Sequence, residues 1–114
     1  MEPQFVSFDG MRGFQLADGA TAKALFGAEA MLNLVALEPG AVVARHRHPH
    51  EQLGIVLRGL MTLWVEGTDH ELRDMDGFAL PGGVEHGATA GPDGALVLDA
   101  FHPVREDYRA AAEG

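Results

Sequence analysis

Residues 40–59 read GAVVARHRHPHEQLGIVLRG, a stretch that contains three of the six histidines of the chain. Its first part has the composition of a strand, in which successive side chains point to opposite faces. Strict alternation places Val42, His46 and His48 on one face. Because a His-x-His pair on a strand presents two imidazoles to one ion, the stretch predicts a metal site.

A further histidine lies downstream, where residues 78–86 read FALPGGVEH. A short apolar run ends at Pro81, a tight turn follows, and His86 comes directly after the turn. An isolated histidine is more often hydrogen-bonded than metal-bound, so the prediction depends on all three imidazoles together. We predict that His46, His48 and His86 bind one divalent ion.

Composition limits the classes of function. The chain has 114 residues, 17 acidic against 8 basic side chains, a formal net charge of −9 and no cysteine. We expect one domain over residues 1–114. The negative charge opposes binding to nucleic acid or to an anionic membrane. With neither a long apolar run nor a secretory signal, a cytoplasmic location is expected.

Glycine and proline divide the chain into short segments, since there are 15 glycines and 6 prolines. The segments with strand composition are 31–37, 41–45, 53–57, 61–65, 78–80 and 95–101. Residues 21–30 are interpreted as loop or strand, and 106–113 as a terminal helical turn. The pattern predicts an all-β sandwich or barrel.

The two histidine-containing segments resemble the two sequence motifs of the cupin superfamily. The matching residues are Gly40, His46, His48 and Gly59 in the first motif, and Pro81, Gly83 and His86 in the second. The resemblance implies a double-stranded β-helix, the cupin jelly-roll barrel. It also implies that Gln52, which stands where the family usually has a glutamate, is the fourth metal ligand beside the three histidines. Glu51 is the alternative. An amide removes one negative charge from around the ion and favours non-redox chemistry.

The end of the chain carries a second signal, since residues 95–108 read ALVLDAFHPVREDY. Asp99 is unusual within an apolar strand, and alternation places it on one face with Val97 and Phe101. If that face lines the barrel, burial raises the pKa of Asp99 and suits it to general acid–base catalysis. The alternative is a structural carboxylate that caps a turn or pairs with an arginine.

This ending, together with the first histidine motif, resembles the small cupins of pectin and alginate breakdown, which linearise 4,5-unsaturated uronates. The resemblance implies that Asp99 moves a proton, that Arg105 binds the substrate carboxylate and that Phe101 walls the sugar site. It implies an anionic sugar as the substrate and a divalent transition metal (Ni, Mn, Fe, Zn or Co) as the cofactor. Arg45 and Arg47 are expected in solvent, on the face opposite the ligands.

Other functions stay open on sequence grounds. A cupin can be an Fe(II) dioxygenase, or a sugar- or metal-binding module without turnover, because one fold hosts many functions.

The assembly state is open as well. Phe5, Val6, Phe8 and Phe14 make the N-terminus more apolar than a free tail. They either pack on a second subunit in a homodimer, as resemblance to small cupins implies, or close the chain's own barrel.

Overall fold

The computed structural model describes all 114 residues, and strands account for 57% of them. The elements, in chain order, are β1 (Phe14–Ala17), β2 (Ala20–Phe26), β3 (Met31–Leu37), β4 (Val42–His46), β5 (Glu51–Val65), β6 (Thr68–Arg73), β7 (Gly77–Leu80), β8 (His86–His102) and α1 (Glu106–Glu113). The prediction of an all-β jelly-roll barrel with a short C-terminal helix is confirmed.

Strands β5 and β8 form the centre of the barrel, because each contributes to two antiparallel sheets. The first half of β5 pairs with the second half of β8 and with β7, and β3, β2 and β1 follow on the far side of β8. In the other sheet, the second half of β5 pairs with the first half of β8, which β6 and β4 flank. The two sheets face each other around an apolar core.

One long strand replaces two predicted short ones. The sequence predicts separate strands at 53–57 and 61–65, but β5 continues through Gly59, with a register shift on each side of it. Gly59 has a φ of +96°, and a Cβ there would clash with the carbonyl oxygen of Gly94. A glycine and the adjoining bulges therefore bend the strand without ending its pairing.

Strand β4 departs from strict alternation. Val43 pairs with Ala88 and His46 pairs with His86, but the register shifts between these two pairs. Because a bulge adds one residue, Val43 rather than Val42 lines the interior with His46. Val42 is 57% exposed. The prediction that Val42 and His46 share a face is wrong for this reason.

The two ends of the chain pack against each other. The segment interpreted as loop or strand forms β2, and α1 spans the residues predicted to be helical. The ring of Phe14 in β1 lies 5.9 Å from that of Tyr108 in α1, so Phe14 closes the chain's own barrel. Phe5, by contrast, is 94% exposed. The structure contains no helix with the length and apolar character needed to span a membrane.

Candidate metal centre

Three histidines converge at one end of the barrel. His46 ends β4, His86 begins β8 and pairs with His46, and His48 lies in the turn before β5. The ring centroids of His46 and His86 are 4.4 Å apart, and those of His48 and His86 are 4.9 Å apart. One ring nitrogen from each histidine lies within 4.8 Å of the other two. The group can hold one metal ion.

Each of the three imidazoles is oriented by a backbone carbonyl two positions away along the chain. The Nδ1-to-oxygen distances are 2.7 Å for His46, 3.1 Å for His48 and 2.9 Å for His86. A carbonyl oxygen only accepts hydrogen bonds, so each Nδ1 carries the proton and each Nε2 keeps a lone pair. The Nε2 of His86 is buried without a hydrogen-bond partner. Such hydrogen bonds orient histidines that bind metals.

Gln52 adds an oxygen to this group. It is 8% exposed, and its Oε1 lies 3.2 Å from Nε2 of His48. With the proton of His48 on Nδ1, these two atoms are both acceptors, and a cation would satisfy both. Three imidazole nitrogens and one amide oxygen therefore fit a divalent transition metal. Glu51, the other predicted ligand, is exposed, and strand alternation directs it away from the histidines.

Burial keeps two of the imidazoles neutral. Burial, followed by the positive charge of Arg105, lowers the pKa of His48 to about 4. Burial lowers the pKa of His86 as well, against the opposing effect of its bond to the Val84 carbonyl. Because only the neutral imidazole binds a metal, protons compete weakly with an ion at these two nitrogens near neutral pH.

A narrow cavity of about 60 Å³ runs from the histidines into the barrel. Its inner wall is mostly apolar. The polar side chains that line it are His46, Gln52, His86, Asp99, Arg105 and Tyr108. Val97, Asp99 and Phe101 of β8 all line the cavity, so the predicted alternation of this strand agrees with the structure.

Asp99 is the buried carboxyl of the cavity. It is 8% exposed, and burial raises its pKa to about 7, although an amide hydrogen bond from Gln52 and the charge of Arg105 act in the opposite direction. A carboxyl with this pKa can both take up and release a proton near neutral pH. Its neighbour on β3, Asn33, is 1% exposed with neither amide atom hydrogen-bonded, and the sequence interpretation missed this polar residue.

Arg105 lines the cavity, lies immediately before α1 and is 8% exposed. It does not pair with Asp99 but forms an ion pair with Asp107 at 2.8 Å. The structural alternative for Asp99, a carboxylate paired with arginine, is therefore not what the fold contains. Phe101 is 2% exposed, and its ring lies 5.7 Å from that of His48.

Tyr108 is a cavity residue that the sequence interpretation missed. Its Oη accepts a hydrogen bond from Nη1 of Arg105 at 2.8 Å. The sequence did contain a signal for this contact, because Arg105 and Tyr108 are three positions apart and such residues lie on the same side of a helix. The two other predicted arginines lie outside the cavity: Arg45 stacks on Trp64 at 3.9 Å, and Arg47 is exposed.

Comparison with known proteins identifies the family. The Cupin domain family matches residues 33–101. Dimethylsulfoniopropionate lyase DddW of Ruegeria pomeroyi is 32% identical over 71 residues, which are 62% of this chain and 47% of that protein. The chain thus spans about half the length of this curated relative.

Two solved structures superpose on 94% of the chain. KdgF from Halomonas sp. has a TM-score of 0.87 at 29% identity, with 99% of its own chain covered. An RmlC-like cupin from Shewanella frigidimarina has a TM-score of 0.86 at 30% identity, with 96% of its chain covered. With the family match over residues 33–101, the protein belongs to the cupin family.

Proposed function

We propose that this protein is a metal-dependent enzyme that opens 4,5-unsaturated uronate monosaccharides to 4-deoxy-5-keto uronates. One observation carries the proposal. A buried carboxyl, whose pKa burial raises to about 7, and a buried arginine line one cavity together with His46 and His86 of the three-histidine group. The likeness to KdgF, a uronate-linearising cupin of pectin degradation, over nearly the whole chain supports it.

The reaction is an isomerisation that moves one proton. The bond between C1 and the ring oxygen breaks, and C1 becomes an aldehyde as its hydroxyl loses a proton. The electron pair left on the ring oxygen gives an enolate at C5, which becomes a ketone when C4 takes up a proton. The site must therefore supply a proton carrier, polarise the reacting oxygens and bind the C6 carboxylate.

The side chains of the cavity fit these tasks. The carboxylate of Asp99 accepts the proton of the C1 hydroxyl, and the resulting carboxylic acid delivers it to C4. Arg105 binds the C6 carboxylate through charge-assisted hydrogen bonds, and Phe101 forms one wall of the sugar site. A volume of about 60 Å³ has room for a few water-sized groups, so the sugar ring lies across the mouth of the cavity.

The proposed metal ligands are His46, His48, Gln52 and His86, and the ion is Ni, Mn, Fe, Zn or Co. When bound, such an ion supplies Lewis-acid polarisation of substrate oxygens. Because Gln52 contributes no negative charge, the ion keeps more of its positive charge. This favours the non-redox reaction over the Fe(II) dioxygenase alternative.

A second candidate reaction is the elimination named in the relative DddW, a dimethylsulfoniopropionate lyase. Its substrate also carries a carboxylate, which Arg105 would bind. Asp99 would remove a proton from the carbon next to that carboxylate while the carbon–sulfur bond breaks and dimethyl sulfide leaves. The narrow cavity favours this smaller substrate.

The proposal includes a homodimer in the cytoplasm. The outer face of the larger sheet is apolar across three neighbouring strands, where Leu32 of β3, Ala100 of β8 and Leu53 of β5 lie in register. Leu53 is 49% exposed and Phe5 94%. An exposed apolar row on a chain with a net charge of −9 favours association with a second copy.

One assay separates the two reactions. The metal-loaded protein is incubated with 4,5-unsaturated galacturonate and, in parallel, with dimethylsulfoniopropionate. Loss of the carbon–carbon double bond is followed in the first sample, and release of dimethyl sulfide in the second. Faster-than-spontaneous loss of the double bond without release of sulfide supports linearisation. Sulfide release alone transfers the assignment to elimination, and inactivity in both samples rejects both assignments.

A further inference from the structure

We infer that Asp107 and Tyr108 are positioning residues, which together hold the Arg105 guanidinium in the one orientation that offers two free N–H donors to a carboxylate at the cavity mouth. The inference rests on the proposed function to the extent that the carboxylate is that of the substrate. Neither Asp107 nor Tyr108 was among the residues to which the sequence assigned a role.

The contacts of Arg105 account for most of its hydrogen-bonding capacity. Nε and Nη2 donate to the two carboxylate oxygens of Asp107 at 3.3 and 2.8 Å, and Nη1 donates to Oη of Tyr108 at 2.8 Å. A guanidinium has five N–H donors. These three contacts leave two donors, one on each terminal nitrogen. Two donors on different nitrogens match the two oxygens of a carboxylate.

The ring of Tyr108 also contacts the flat face of the Arg105 guanidinium. Its central carbon lies 3.8 Å from the centroid of the Tyr108 ring, within the range of a cation–π contact. An in-plane ion pair and a stacked ring fix both the position and the tilt of the group. Only 10% of the Arg105 side chain is exposed, against 61% for Asp107. Asp107 therefore lies on the solvent side, and the guanidinium lies toward the cavity.

The start of α1 places these side chains together. Arg105 precedes the helix, Asp107 lies in its first turn, and the backbone N–H of Tyr108 donates to the carbonyl of Arg105 at 3.1 Å. An acidic residue in the first turn also favours the helix. Tyr108 lines the cavity, and burial raises its pKa to about 12. Its hydroxyl therefore stays neutral near neutral pH, and its oxygen accepts the hydrogen bond from Arg105.

The test compares two sugars that differ at the carboxylate. Binding of D-galacturonate and of D-galactose to metal-loaded protein is measured by calorimetry for wild type, Asp107→Asn and Tyr108→Phe. The matched control is Glu106→Gln, because Glu106 is the neighbouring acid and bonds Arg109 instead. We expect each of the first two variants to weaken galacturonate binding about tenfold and to leave galactose binding unchanged. In turnover of 4,5-unsaturated galacturonate, Asp107→Asn and Tyr108→Phe should each raise KM about tenfold, while kcat stays within about twofold of wild type.

Asp107→Asn and Tyr108→Phe are then each combined with Arg105→Gln in double variants. Residues that act through Arg105 lose their effect on galacturonate binding in that background. The inference is overturned if the effect persists there, if Glu106→Gln has the same effect, or if wild type does not prefer galacturonate. Galacturonate binding that depends on Asp107 and Tyr108, in a protein that does not turn over the unsaturated uronate, would reject the proposed reaction and support the positioning role.

Discussion

The carboxylate of Asp99 lies directly over Gly54, and no side chain fits between them. The two residues pair across β8 and β5. A Cβ at position 54 would lie 2.6 Å from Oδ1 of Asp99 and would clash with the ring of Phe78. The position of the proposed proton carrier therefore depends on a glycine that takes no part in the chemistry.

Replacing this glycine should displace the carboxyl group. We expect Gly54→Ala to lower kcat by about 100-fold, because misplacing a catalytic group by about 1 Å has an effect of this size. Steady-state kinetics with the unsaturated uronate provides the measurement. Gly10→Ala is the control, since no atom lies within 4 Å of a Cβ at position 10. Wild-type turnover by Gly54→Ala would show that the reaction does not need Asp99 where it lies.

The fourth metal ligand can be identified by comparing two neighbouring residues. Gln52→Ala should weaken binding of a divalent ion such as Ni²⁺ by about tenfold or more, because it removes an oxygen that faces His48. Glu51→Ala should leave the affinity unchanged, because Glu51 is exposed. Calorimetric titration of chelator-treated protein measures both. The opposite result would assign the ligand to Glu51.

The environment of Asp99 makes the stability of chelator-treated protein depend on pH. Burial raises the pKa of Asp99 from 3.8 to about 7. Its contribution to stability is therefore complete below the unfolded pKa and is lost as the pH rises through the folded pKa. Between pH ~4 and pH ~7, the free energy of unfolding of wild type should therefore fall by on the order of 4 kcal/mol relative to that of Asp99→Asn.

The free energy of unfolding in urea, measured for both proteins at several pH values, tests this expectation. His48 and His86 are present in both proteins, so their protonation contributes equally and cancels. A difference between the two proteins that stays constant with pH would contradict the buried environment of Asp99.

The proposed dimer face includes Leu53, which is 49% exposed. A charge there would have to be buried without a partner, so Leu53→Glu should convert the dimer to a monomer. Sedimentation velocity measures the change. Val42→Glu is a matched control, because Val42 is 57% exposed on the other sheet. A monomeric wild type, or dimers of both variants, would reject this face as the interface.

The sequence predicted the elements whose signal is local. Strand β3 and helix α1 have the predicted bounds. The alternation in β8 predicted that Asp99 and Phe101 share a face, because an unbulged strand has a strict period of two. The three histidines were recognisable from their spacing.

The parts that sequence did not predict depend on contacts between distant segments. A bulge in β4 places Val43 rather than Val42 on the inner face, and no local sequence pattern predicts a bulge that forms against β8. The bend at Gly59 needs the backbone of Gly94 beside it. The bonds from Arg105 to Asp107 and Tyr108 needed the side-chain geometry at the start of α1, although the residues are close in sequence.

The central claim is that a metal at the histidine group and Asp99 together linearise an unsaturated uronate. A proton NMR time course of 4,5-unsaturated galacturonate tests it most directly, with the vinylic proton at C4 as the signal. The samples are metal-loaded wild type, chelator-treated wild type, metal-loaded Asp99→Asn and a blank without protein. We predict that the signal disappears faster than in the blank only with metal-loaded wild type. Equal rates in all four samples would contradict the claim.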